Sequence, residues 1–201
     1  TNEIVGLIGL NGAGKTTLIK TLSGLLDSFR VEDTLWQEKP FMFRDRDFKK
    51  NRYVVFAEEH SFSFFTFREY ASYVAASYGK ELSDVDELVQ GFQFEEYTDV
   101  LLKELSTGNQ KKAYLIAAFA LKPQLLVLDE PVNGLDFQST EYLYSRINGY
   151  RQYGTVLFSS HILESICLTS DRVLVLEEGR IRKRFTGQEI ETDKIREVLK
   201  E

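Results

Sequence analysis

Cysteine and histidine are almost missing from this 201-residue sequence: Cys167 is the lone thiol, and His60 and His161 are the only imidazoles. One cysteine forms no internal disulfide, and the three residues offer no zinc-ligand spacing, so the composition fits a reducing compartment. A basic excess is lacking too. Lys and Arg number 25 against 31 Asp and Glu, a formal charge of −6, which leaves no global positive field to hold a nucleic-acid backbone, so no nucleic-acid partner is expected. The longest apolar run, Ala113–Leu121, has nine residues and stops at Lys122, well short of the about 20 that cross a bilayer. The start lacks the charged, apolar and small-residue order of a secretory signal. Thr1 stands almost directly on a strand pattern, so the chain is expected to begin partway into a domain. What is present is ordinary for one globular core: 43% hydrophobic and 28% charged residues, which excludes disordered and collagen-like chains.

Ile4–Ile8 is a short apolar run ended by glycine, the pattern of a buried strand, and Leu18, Ile19, Leu22, Leu25 and Leu26 then recur at helical spacing. Phe29, Val31, Leu35 and Trp36 suggest a strand, and residues 53–57 a firmer one, with the charged stretch 44–52 between them. Phe67, Tyr70, Ala71, Val74 and Tyr78 share one helical face, with Gly79 at the C-terminal cap position. Ser106 precedes a long apolar helix to Leu121, and residues 125–128 form a strand ending in Asp129 and Glu130. A helix over 139–151, a strand over 155–159, a helix opened by His161, a strand over 173–176 and a turn at Glu178-Gly179 follow. Strands alternating with helices imply a mainly parallel sheet.

Three short segments carry chemistry. GLNGAGKT at 9–16 matches the phosphate-loop pattern, in which glycines let several N–H groups point at one anion at a helix start; Lys15 would then reach the β- and γ-phosphates and Thr16 a Mg²⁺ ion. A glycine-rich turn joining strand to helix is the bland alternative. Asp129 and Glu130, at the carboxyl end of a strand, suit metal-water and water activation, or else cap the next segment. LSTGNQ at 105–110 makes Ser106 a helix N-cap, and Gly108 beside it suggests a second anion-seeking surface.

Together with the LLVLDEP stretch at 125–131, NGLD at 133–136 and SSH at 159–161, these motifs resemble, in order and over nearly the whole chain, the nucleotide-binding domain of ATP-binding cassette (ABC) transporters. The resemblance implies an α/β P-loop NTPase, with a mainly parallel sheet flanked by helices. It also implies that residues 1–201 form one such domain, with a helical subdomain inserted at about 62–104 and further strands before Thr1. By the same likeness Asn11, Gly12, Ala13, Gly14, Lys15, Thr16 and Thr17 cradle ATP, and Thr16 and Asp129 hold Mg²⁺. Glu130 is the general base and His161 contacts the γ-phosphate. Two copies, or one copy and a related ATPase subunit, pair head to tail. Ser106, Gly108 and Asn109 of one then cap the nucleotide on the other, and Asp136 links the two sites. The partner implied is an integral membrane permease, with the subunit peripheral on the cytoplasmic face.

Departures from the family pattern are local. Glu58 stands where a glutamine usually contacts Mg²⁺ and the attacking water, so it takes a catalytic and metal-binding role as an acid. Thr107 replaces a glycine and Asn109 a glutamine of the signature. The aromatic residue that stacks on adenine lies upstream of residue 1. Phe62, Phe64, Phe65 and Phe67 fall where the family receives a cytoplasmic helix of the permease, or else they form the core of the insert. His60 has no assigned role. A non-transport ABC ATPase and a nucleotide-gated module with slow hydrolysis are the alternatives. The first lacks the long heptad insert or second cassette it would need, and Glu58 is what favours the second. Glu58 adds negative charge near the γ-phosphate, so Glu58→Gln should raise steady-state ATP turnover at limiting Mg²⁺; an unchanged or lower rate would count against this.

Overall fold

The structure, a computed structural model, describes residues 2–26, 33–58 and 60–200. All five residues of β1 (Ile4–Ile8) are buried, as in a strand covered on both faces. The chain leaves β1 through a glycine loop in which Gly14 has a φ of 101°, a left-handed conformation that glycine adopts without strain. There α1 (Lys15–Leu22) begins. It ends earlier than the leucine pattern suggested: Gly24 is also left-handed, and the Arg52 guanidinium donates to the terminal carbonyls of Leu22 and Ser23. Leu25 is consequently 61% exposed.

Phe29 and Val31 of the expected first strand lie outside the described residues. Leu35 and Trp36 form β2 (Leu35–Trp36), which among the described residues pairs only with β3 (Lys39–Pro40) in a separate hairpin. Gln37 and Glu38 both have positive φ, the geometry of a type I′ turn. The charged stretch that follows is not a separator but α2 (Arg46–Asn51), anchored by buried Phe48, whose ring meets Trp36 edge to face at 5.2 Å. β4 (Arg52–Val55) overlaps the expected strand over 53–55, beginning one residue earlier and ending two residues earlier.

α3 (Phe67–Tyr78) has the expected bounds, with a Thr66–Glu69 capping box and Gly79 left-handed at its end. α4 (Val85–Gly91) and two short 3₁₀ turns complete the stretch before residue 105. α5 (Thr107–Leu121) is buried all round from Lys111 onward. It packs against α3, α4 and β4, so it joins the helical layer to the sheet. β5 (Leu125–Leu128), α6 (Phe137–Gly149), β6 (Thr155–Ser160), α7 (Leu163–Thr169) and β7 (Arg172–Glu177) follow. β8 (Arg180–Thr186) and α8 (Thr192–Lys200) escaped the sequence pattern. Within β8 only Phe185 is buried among charged residues, because it is an edge strand, where charge blocks unwanted pairing.

The sheet order is β4-β5-β6-β1-β7-β8, all parallel except the β7–β8 pair. This is the expected α/β architecture, and β6 lies between β5 and β1. Phe67 is 2% exposed and its ring packs edge-on to Phe94 at 5.5 Å. Phe67→Ala should therefore cost about 3–5 kcal/mol of stability in denaturant unfolding, whereas the 74%-exposed Phe64 should tolerate alanine with little loss.

Candidate functional site

The carboxyl ends of β1, β5 and β6 open on one side of the sheet, where ligands collect in parallel α/β folds. Residues Asn11 to Thr17, with Glu130, line a cavity of about 290 Å³ there. The loop is braced from behind: the Ala13 N–H donates to Leu10 O at 3.1 Å, and Gly179, in the β7–β8 turn, donates its N–H to Ala13 O at 2.9 Å. Lys15 is 8% exposed. Its Nζ donates to Gly9 O at 2.8 Å and stands 3.4 Å from Glu130 Oε1.

β5 does not touch β1, so the acids at its end reach the phosphate loop across β6. The parallel register pairs Leu128 with Phe158 and Leu7 with Ser159, which sets Ser159 level with Asp129. Asp129 is completely buried. Its Oδ2 accepts from Thr16 Oγ1 at 2.8 Å and its Oδ1 from Ser159 Oγ at 2.7 Å, which offsets the cost of burying a carboxylate. Glu130 follows with a φ of 45°, an uncommon conformation for a non-glycine residue. That turn places Glu130 Oε2 at 2.9 Å from His161 Nδ1. His161 lies in the loop after β6 and does not open a helix, since α7 starts two residues later.

The remaining predicted residues sit elsewhere. Ser106 caps α5, accepting from the Asn109 N–H at 3.3 Å, and Ser106 and Thr107 are exposed. Neither they nor Gly108 and Asn109 line the phosphate cavity. Gly108 has a reason within the chain itself: a Cβ there would stand 2.2 Å from Gly134 O. Glu58 is exposed in the loop after β4 and does not line the cavity either. The loop's start is held by Lys111 of α5, whose Nζ donates to Phe56 O at 2.6 Å and Ala57 O at 2.7 Å. Among the aromatic residues, Phe67 is core, Phe62 and Phe65 are partly buried, and Phe64 is exposed. Phe62, Tyr70 and Tyr73 contribute to a groove of about 400 Å³ bordered by Leu25 and Phe56.

Ser159, which stands in the SSH stretch without an assigned role, and Lys111 and Lys112 are the further functional candidates. Their signal was present: a hydroxyl near the end of an apolar strand, and two lysines directly before the apolar run 113–121 of a helix. Among the described residues no three His, Cys, Asp or Glu side chains converge as a metal centre. Thr16 and Asp129 offer two hard oxygens, which suits a cation that takes its other ligands from phosphate and water.

Asp136 serves two partners within the chain. Its carboxylate caps α6 through the Ser139 N–H at 2.8 Å and pairs with Lys112 Nζ at 2.7 Å. Lys112 first, then the Ser139 N–H, hold its carboxyl well below the ordinary carboxylate range. A depressed folded-state pKa adds stability above the unfolded aspartate value and loses it as the pH falls. The stability advantage of wild type over Asp136→Asn should therefore be full at neutral pH and shrink below about pH 4; thermal midpoints of both proteins across that range check this.

The sequence model of the ABC transporter family matches residues 1–133. The putative ABC transporter ATP-binding protein AlbC of Bacillus subtilis (strain 168) is 36% identical, over 98% of this chain and 84% of its own length. A solved ATP-binding subunit of an ABC transporter superposes with a TM-score of 0.82 at 28% identity, over 92% of this chain and 78% of that one. The cbiO1 protein of Clostridium perfringens, part of the transporter complex cbiONQ, does so with 0.72 at 25% identity, over 98% and 82%. With its phosphate loop and buried acid pair at the ends of two parallel strands, the chain belongs to the ABC transporter family as an ATP-binding and ATP-hydrolysing subunit.

Proposed function

We propose that the subunit works as two opposed copies, or one copy with a related ATPase subunit, closed on ATP and driving a separate membrane permease. One observation carries this reading: the chain has two anion-seeking surfaces that do not meet. The phosphate cavity is bounded by Asn11–Thr17 and Glu130, while the N-terminus of α5 is exposed, with Ser106 at its tip. A helix N-terminus favours negative charge, and an opposed second copy would present it to the γ-phosphate, with Ser106, Gly108 and Asn109 in contact. Asp136, beside that surface, would face the interface.

Within each site, the N–H groups of the phosphate loop hold the β- and γ-phosphates. Lys15 exchanges Gly9 O and Glu130 for phosphate oxygens, which frees Glu130 to accept a proton from the attacking water. His161 keeps that carboxylate in place and contacts the γ-phosphate. Thr16 and Asp129 would hold Mg²⁺, joined on closure by Glu58 from its exposed loop. When bound, the ion neutralises charge on the phosphate oxygens.

The aromatic groove beside Glu58 is the proposed seat for a cytoplasmic helix of the permease. In its support, Tyr73 is 48% exposed and Leu25 61% exposed at its rim, an apolar surface suited to a helix face. Among the described residues no helix is long and apolar enough to cross a membrane, which agrees with a peripheral position on the cytoplasmic face of the membrane. The cbiO1 relative, part of a transporter complex, supports a permease partner.

Glu130→Gln removes the base and keeps the shape. It should lower steady-state ATP hydrolysis by about 100-fold or more while ATP binding persists, and light scattering should show a dimer with ATP and Mg²⁺. A monomer that retains no nucleotide under those conditions would defeat the proposal.

A further inference from the structure

Neither the phosphate-loop motif nor the acid pair accounts for Ser159. Its side chain is wholly buried at the end of β6, in a strand whose other deeply buried positions include Val156 and Phe158. A hydroxyl has one hydrogen to give and two lone pairs to offer. Ser159 gives its hydrogen to Asp129 Oδ1 at 2.7 Å and accepts the backbone N–H of Glu130 at 2.8 Å. An apolar side chain of similar volume would fill the space and leave both groups buried without a partner.

Two consequences follow for the acids. The plane of the Asp129 carboxylate is held at both oxygens, by Ser159 on Oδ1 and Thr16 on Oδ2, so Oδ2 is turned toward the phosphate loop. Glu130 adopts its positive φ while its N–H is held by the same hydroxyl, and from that turn its carboxylate sits between Lys15 and His161. The two acids are adjacent in sequence but face different partners. One buried hydroxyl keeps them apart.

We propose that Ser159 is a positioning residue for ATP hydrolysis, setting the orientation of Asp129 and the backbone turn of Glu130 together. This rests on the assignment of Asp129 and Glu130 as the hydrolytic pair. Ser159 touches no substrate and acts through both acids, so its removal should depress turnover and spare nucleotide capture by the phosphate loop.

The test uses the full chain with Ser159→Ala, Ser159→Thr and Glu130→Gln beside wild type. In Ser159→Ala, kcat should fall about 10- to 100-fold, as when outer partners of ligating groups are lost, with KM for ATP within about twofold. Ser159→Thr keeps the hydroxyl and should recover most of the rate. Without nucleotide or metal, amide hydrogen exchange should rise at Glu130 in Ser159→Ala and stay unchanged at Leu126 and Val127, which a general loosening of β5 would not reproduce. A wild-type kcat in folded Ser159→Ala overturns the proposal, and so does exchange that rises along the whole of β5. Wild-type turnover in Glu130→Gln would instead strike the assignment of the acid pair, a failure separable from that of Ser159 because the exchange measurement needs no turnover.

Discussion

A carboxylate with no access to water has to have both oxygens satisfied from within, and in this protein that requirement falls on Asp129. Its partners come from the phosphate-loop helix and from β6, Thr16 and Ser159, so three strand ends are tied at one group. The geometry of the nucleotide site depends on this junction. If β6 were not seated between β5 and β1, the acid pair and the phosphate loop would belong to separate edges of the sheet. Because β6 intervenes, its end supplies the buried hydroxyl and the residue directly after it the imidazole against Glu130.

The helical layer is bound to this centre through α5. Lys111 holds the loop after β4 by two carbonyls, Tyr114 holds Ser61 O at 2.7 Å, and Lys112 pairs with Asp136. A single helix thus grips the Glu58 loop with one lysine and the segment after the acid pair with the next. Its exposed tip is fixed against Gly134 by the close approach that only a glycine at 108 allows. Any movement of α5 would be felt at both places, since its two lysines hold both segments. The aromatic groove lined by Phe62, Tyr70 and Tyr73 borders the same loop at Phe56.

Some features were legible because their causes are local. The bounds of α3 follow from a capping box and a glycine cap separated by one amphipathic stretch, and α5 and β5 follow from uninterrupted apolar runs. The phosphate loop and acid pair were legible as motifs because their chemistry needs particular residue types at fixed spacing. Where causes were remote, the pattern misled. The leucines after Leu22 kept helical spacing, yet α1 stops because Arg52, thirty positions on, takes its last carbonyls. β8 carries too much charge to resemble a strand and exists because β7 offers it an edge. Gly108 suggested an anion site, and the structure adds a backbone contact with Gly134 as the reason for its size.

From residue order alone came the fold class, the glycine loop between a strand and a helix and the two adjacent acids at a strand end, since periodicity and short-range spacing encode these directly. Only the tertiary structure decided that Ser159 joins the two acids and that Glu58 and the tip of α5 stand outside the phosphate cavity. Those outcomes depend on which strands are neighbours and in what register, and contacts between residues 30 to 113 positions apart leave no trace in local pattern.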